Sequence, residues 1–286
     1  MNRKQTIISI IAATSLGAFV AWAGAQQGLT LHGIPIFLLC AALAFGINWL
    51  VFLPAYFFQS EKFYDITGSI TYITVTLLAL VWSQKTDPRS LLLAALVMVW
   101  AARLGSFLLR RILRSGSDDR FDHLKPDFFR FLNAWTLQAL WVIFTAAPAF
   151  IAITASKQVP LAGFAIVGGL VWLLGFGIEV LADHQKSKFR KDPNNKERFI
   201  QSGLWSRSRH PNYFGEIVLW LGVTIIAAPV LQGWQWIALI SPVFVSLLLT
   251  KVSGVPMLEE KADKKWGGQE DYETYKESTP VLIPKL

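Results

Sequence analysis

Residues 132–154 read LNAWTLQALWVIFTAAPAFIAIT, a run without one charged side chain. A helix needs about 20 mostly apolar residues to cross a hydrocarbon layer roughly 30 Å thick, so this run is long enough to span a bilayer. Seven further stretches qualify: roughly 6–25, 32–57, 64–83, 89–108, 160–182, 214–230 and 234–252. The composition agrees, with 53% apolar and only 16% charged residues among 286 and a mean hydropathy of +0.42. A soluble domain carries about 45–50% apolar and about 25% charged residues. These values exclude a disordered chain and an ordinary cytosolic enzyme. The single cysteine, Cys40, lies in an apolar run and excludes a disulfide-stapled domain. The expected fold is all-α: a polytopic membrane bundle of about eight transmembrane helices.

The first stretch follows Met1-Asn2-Arg3-Lys4 as the hydrophobic part of a signal peptide would. A second span begins almost at once, so it is read as a retained helix. The short turns 26–31 and 231–233 make hairpins of the first and last pairs. Placing the N-terminus in the cytoplasm puts Lys251 and segments 1–5, 58–63, 109–131, 183–213 and 253–286 on the inner side. Together they hold 23 of the 27 Lys and Arg residues. Lys85, Arg89 and Lys157 fall outside, and Arg103 falls within the fourth span. Cytoplasmic loops collect cations, so the split implies an N-in, C-in topology. The net charge of +8 then reflects orientation and an anionic ligand rather than nucleic acid. The tail from Glu259 reads as a short cytoplasmic helix followed by extended TPVLIP, which Pro280 and Pro284 keep non-helical.

Ionisable groups inside a span cost about 2.5–3.5 kcal/mol on insertion scales and need partners or water. Arg103 reads either as a snorkelling side chain or as a ligand contact. Asn48 and Gln138 read as interhelical hydrogen-bonders. Glu179 and Asp183, four apart, share one helix face, with Arg190 further along it. Two stacked carboxylates repel unless something polar binds them.

The densest polar block is GLWSRSRHPNYFGE, residues 203–216, which carries Arg207, Arg209, His210, Asn212, Tyr213 and Glu216 just before the seventh span. Pro211 disfavours helix at His210 and is suited to open the helix that follows. Arginines beside a helix N-terminus make an anion site, and Asn212 can pair with an amide or a ribose hydroxyl. A positive-inside anchor would explain Arg207 and Arg209, but not Asn212 and Glu216 entering the membrane. No GxGxxG or GxxxxGK[ST] motif, HExxH motif or zinc-type Cys/His spacing occurs, and His32 and His123 read as surface residues.

With SRHPNYFGE, the segments YDITGSITYI, RLGSFLLRR, SGSDDRF, GIEVLADHQKSKFR and YETYKESTPVLIP occur in the order seen in the steroid 5-alpha-reductase C-terminal superfamily. From about residue 45 onward the chain resembles that superfamily, and within it a bacterial branch named only as a domain of unknown function. The resemblance implies a membrane-embedded reductase, in a bacterial inner membrane, holding NADPH in a cavity open to the cytoplasm. It divides the chain into an additional N-terminal helix, 1–30, and a reductase-like transmembrane domain, 31–286. Glu179, Asp183 and Arg190 match a cofactor-lining Asn-x-x-x-Asp motif with a downstream Arg, with Glu replacing Asn. Asn212 and Glu216 match its Asn-x-x-x-Glu motif, and Tyr272 and Tyr275 fall in the tail that packs over the cofactor.

The family's adjacent Gln and Glu, and the Tyr on its next helix, find their nearest positions at Tyr64-Asp65 and Trp100, with Arg103 one turn below. Trp100 has no hydroxyl to donate. Asp65, kept protonated by burial, with Tyr64 or Tyr72 is therefore the expected group that polarises a carbonyl during reduction of a conjugated double bond. The tyrosines also read as an interfacial aromatic belt. The expected partners are membrane lipids and a lipophilic enone entering from the bilayer. A rival is a membrane methyltransferase of the isoprenylcysteine carboxyl type, with Glu259-Glu260 helping to hold S-adenosylmethionine. A third reading, a transporter or scaffold, lacks the internal repeats and mid-membrane polar groups such proteins carry.

Overall fold

The computed structural model describes residues 2–285; Met1 and Leu286, at the ends of the expected first loop and tail, lie outside it. Eight of the described helices are long and apolar enough to cross a membrane, and the chain is an integral membrane protein. They are α1 (Arg3–Gly24), α2 (Ile36–Phe57), α3 (Tyr64–Ser83), α4 (Pro88–Ser115), α5 (Phe128–Thr154), α6 (Gly163–Lys191), α7 (Pro211–Ala227, with a 3-10 turn to Val230) and a last span from Gly233 that contains α8 (Ile240–Leu247). Two short helices follow, α9 (Val255–Trp266) and α10 (Glu270–Ser278).

The differences from the sequence reading have local causes. Residues 32–35 belong to a small antiparallel hairpin of β1 (Thr30–Leu31) and β2 (Ile34–Pro35), turned at His32 and Gly33 with positive φ. The last span is not one regular helix. It opens as a 3-10 segment at Gly233, becomes α-helical, and ends in a π turn over Leu248–Val252. Gln235 Nε2 donates to Gln26 O at 2.8 Å and Ser241 Oγ to Thr145 O at 2.6 Å, so side chains anchor its first half from outside the helix. The tail holds two helices rather than one, because Gly267 and Gly268 part them, the second with φ of +82°.

The chain divides into two compact units: residues 1–165 with 226–241, and residues 166–225 with 242–286. In the first, α5 is the enclosed element, its Phe131, Trp135, Ile143 and Phe150 fully buried among the neighbouring helices. A polar seam runs through this apolar packing. Asn48 Nδ2 donates to Thr71 Oγ1, and Gln138 Nε2 donates to Tyr64 O at 2.8 Å across Gly68. A Cβ at Gly68 would lie 2.2 Å from that amide nitrogen, so a larger residue would push the Gln138 amide off its bond to Tyr64 O. Asn48 and Gln138 are thus interhelical hydrogen-bonders.

The three expected outer cations also do structural work in this unit. Arg89, 2% exposed, donates to the carbonyls of Ile226 and Pro160, and Lys157 to that of Pro229; Lys85 is buried. The first and last of these carbonyls lie at the C-terminal end of α7, where cations are favoured.

In the second unit α6 and α7 pack backbone to backbone. A Cβ on Gly215 would stand 2.6 Å from Gly175 O and 2.7 Å from Glu179 N, and one on Gly222 would stand 2.6 Å from Gly168 O. Small residues are what allow membrane helices to approach this closely.

Candidate functional site at the start of the seventh helix

The polar block is built from the end of α6 upward. Trp205, 3% exposed, donates its indole N–H to Ala182 O at 3.0 Å while the Lys186 ammonium lies 4.3 Å over its ring. Gln185 Oε1 accepts from Leu204 N at 2.9 Å, and Gly203, at φ +64°, leaves room for that amide. Residues 203–206 are thereby stapled to α6, which fixes where 207–212 begin.

The chain's last segment clamps the other side. Arg209 N donates to Pro280 O at 2.9 Å, Lys285 N to Arg207 O at 2.9 Å, and Ser208 Oγ to Leu282 O at 2.8 Å. TPVLIP is non-helical as expected, but it bends at 279 and 281–283 rather than running extended, and its backbone pairs with the polar block. Pro211 then opens α7.

At this junction Asn212 Nδ2 donates to Asp183 Oδ1 at 3.3 Å. Gly215 is level with Glu179, one turn further along α7, so the i,i+4 pair of α6 and that of α7 run side by side. Glu179, Asp183 and Glu216 are buried at 2%, 7% and 8% exposure. The structure brings together Glu179, Asp183, Asn212 and Glu216; Arg190 and Arg207 are exposed beyond this quartet.

Beside the quartet, Glu259 of α9 takes two donors. Arg209 Nη2 lies 3.1 Å from its Oε2 and His210 Nε2 lies 2.7 Å from its Oε1. Arg209 Nη1 also donates to Lys276 O at 3.1 Å. The His210 ring stacks on Tyr213, 5.6 Å between centroids and 7° between planes. Burial holds the His210 imidazole below its ordinary value, against the opposite pull of Glu259. His210 is 4% exposed, and among the described residues neither its Nδ1 nor the buried Nε of Arg209 has a hydrogen-bond partner. Buried polar atoms of native proteins are nearly always satisfied, so two such atoms side by side mark a place that a water or a polar ligand can fill.

The tail tyrosines are committed elsewhere. Tyr275 donates to Trp205 O at 2.7 Å, and burial pushes its phenol up to about 12. Tyr272 donates to Asp263 Oδ1 at 2.9 Å. An open cavity of about 750 Å³ lies along Ser206, Glu270, Asp271, Thr274 and Lys285, and a smaller one of about 250 Å³ between Phe189, Arg198 and Phe199. The quartet lines neither of these two.

The residues expected to polarise a substrate belong to the first unit. Tyr64 donates its hydroxyl to Ala134 O at 2.9 Å, with its ring between Phe121 and Trp135. Asp65 pairs with Arg111 at 3.3 Å. Both therefore already have structural partners. Tyr72, 5% exposed, meets the edge of the Trp100 ring at 5.1 Å. Arg103 lies 5.4 Å over the ring of Phe107.

Glu259 is the site residue that sequence reading left to the rival hypothesis. Its signal was there to find: it is the first carboxylate after Glu216, following the whole last span.

A family model described as "Protein of unknown function (DUF1295)" matches residues 51–279. The chain is 28% identical over 121 residues to "3-oxo-5-alpha-steroid 4-dehydrogenase 1" of Bos taurus, covering 42% of each chain. It is 30% identical over 120 residues to the Rattus norvegicus protein of the same name, covering 42% of this chain and 40% of that one. An uncharacterized protein of Schizosaccharomyces pombe is 24% identical over 185 residues, covering 53% of this chain and 54% of its own. The chain thus spans about half or less of the length of these relatives. No solved structure matches it.

Proposed function

As this chain belongs to the family described as "Protein of unknown function (DUF1295)", with mammalian 3-oxo-5-alpha-steroid 4-dehydrogenases among its distant relatives, we propose that it is a membrane-embedded, NADPH-dependent reductase of a lipophilic enone. The observation that carries this reading is the Asn212–Asp183 hydrogen bond, which draws two i,i+4 polar pairs together beside two orphaned polar atoms. The bovine and rat relatives are named for a 3-oxo-steroid and position 4 of its ring, which is the chemistry of a double bond next to a carbonyl.

The donor set fits a dinucleotide phosphate. Glu179, Asp183, Asn212 and Glu216 offer acceptors and an amide for ribose hydroxyls and a carboxamide. The exposed guanidinia of Arg190 and Arg207 suit phosphate oxygens. Arg209 is drawn to Glu259 and holds the tail. Tyr213 presents a ring face, whereas Tyr272 and Tyr275 brace the tail. When bound, NADPH supplies the hydride.

The chain's own part is to hold, orient and polarise. A carbonyl conjugated to the reduced bond gains negative charge on oxygen in the transition state, and a preorganised hydroxyl donor lowers that barrier. Tyr72, its ring set against Trp100, is the hydroxyl we assign to this task. Arg103 is the second candidate, on the next helix. The substrate enters from the bilayer, and the charged loops with the 203–216 block face the cytoplasm of a bacterial inner membrane.

Thermal unfolding of the purified protein tests the reading. We expect NADPH at about 100 times its dissociation constant to add about 2.7 kcal/mol of stability, and S-adenosylmethionine none. Stabilisation by S-adenosylmethionine alone would replace the reductase with the methyltransferase. Turnover of only water-soluble substrates would remove the lipophilic substrate class.

A further inference from the structure

Glu259 reaches the polar block from α9, about fifty residues along the chain from His210. Its two carboxylate oxygens are divided between neighbours: Oε2 takes Arg209 and Oε1 takes His210 Nε2 at 2.7 Å. A carboxylate beside an arginine is an acceptor, so the proton of a neutral His210 sits on Nε2. The other ring nitrogen then carries a bare lone pair. That atom, Nδ1, is buried in a side chain 4% exposed and meets no donor among the described residues. The ring is held in this orientation by the Nε2 contact to Glu259 and packed in its plane by the stack on Tyr213.

We propose that Glu259 is a positioning residue: it fixes His210 as the Nε2–H tautomer, so that Nδ1 accepts a hydrogen bond from an amide or hydroxyl of the bound coenzyme. The inference rests on the reductase reading for the identity of the ligand, but not for the state of the imidazole. The charged groups that face His210 are Glu259, Arg209 and, from α6, Lys186, while Tyr213 presents only its ring face. A proton added to Nδ1 turns the acceptor into a donor. Coenzyme affinity therefore falls only as the pH drops through the His210 value, which burial holds below that of an ordinary imidazole.

The test uses the full chain in detergent, with NADPH as the probe and nitrogen-15 NMR of labelled histidines as a second readout. In the unliganded wild type we expect the resonance that disappears in His210→Asn to report Nε2–H and a bare Nδ1. Glu259→Gln, which can offer an N–H to Nε2, is expected to shift that tautomer and to weaken NADPH about tenfold, the loss of one hydrogen bond to a buried group. Of the two amide replacements, His210→Asn keeps a polar group where Nδ1 sits and His210→Gln keeps one where Nε2 sits. His210→Asn is expected to bind the better of the two and to lose the acid-side fall in affinity. An Nδ1–H signal in the wild type, unchanged NADPH affinity in Glu259→Gln, or better binding by His210→Gln would overturn the proposal. Should the wild type bind no NADPH at all, the reductase reading falls by itself. The tautomer signal and its dependence on Glu259 then decide this inference alone.

Discussion

Two charged regions of the molecule, one in each unit, are built to opposite ends. In the first unit the loop between α4 and α5 is tied down by a closed ion network. Glu61, 5% exposed, takes Lys125 at 2.8 Å and the Asp118 N–H at 2.8 Å. Asp118 takes Arg120 at 2.6 Å, and Arg111 bridges Asp118 and Asp65. Burial alone would raise the Glu61 carboxyl, but these donors hold it below the usual carboxylate range. In the second unit the start of α7 gathers a comparable number of charges, yet His210 Nδ1 and Arg209 Nε are buried with no partner among the described residues. A cluster that satisfies itself is a fastening; one that keeps polar atoms in reserve is shaped around something else.

The sharpest way to break this contrast is Glu61→Gln. It strips a buried carboxylate from Lys125, and we expect it to cost about 3–5 kcal/mol in unfolding experiments while leaving NADPH affinity untouched. The same group sets a pH dependence. Its folded value is depressed, so its contribution is present above the unfolded carboxylate value of about 4.3 and is lost as the pH falls through the lower folded one. Equal loss of stability and of affinity would erase the distinction between fastening and site.

Asn212→Ala makes the reciprocal test. It is expected to reduce NADPH affinity about 100-fold, near 2.7 kcal/mol, with a much smaller change in the melting temperature of the unliganded protein. The least effect belongs to an ion pair that is neither fastening nor site. Lys264 meets Glu260 at 2.6 Å with both side chains exposed, and Lys264→Ala should leave melting temperature and affinity unchanged within error.

What could be read in advance follows from the range of each interaction. A run such as 132–154 announces a span because the bilayer imposes its length on consecutive residues. The link between Glu179, Asp183 and Asn212 was partly legible too. Each member is one of an i,i+4 pair, although their approach through Gly175 and Gly215 was not. The bond from Tyr64 to Ala134 joins residues 70 apart, and nothing contiguous with Tyr64 announces it. Arg209 looked like a phosphate ligand until Glu259, 50 residues further on, was found against it.

Sequence by itself determined that this is an integral membrane protein of eight apolar spans, and that a dense block of polar residues precedes the seventh of them. Both follow from properties of contiguous residues: the cost of a charge in hydrocarbon and the periodicity of a helix. Only the tertiary structure decided which polar side chains are already spent. Whether a hydroxyl, a guanidinium or an imidazole has a partner depends on chain segments that meet after folding, and a buried polar atom differs from an exposed one only once its surroundings are in place.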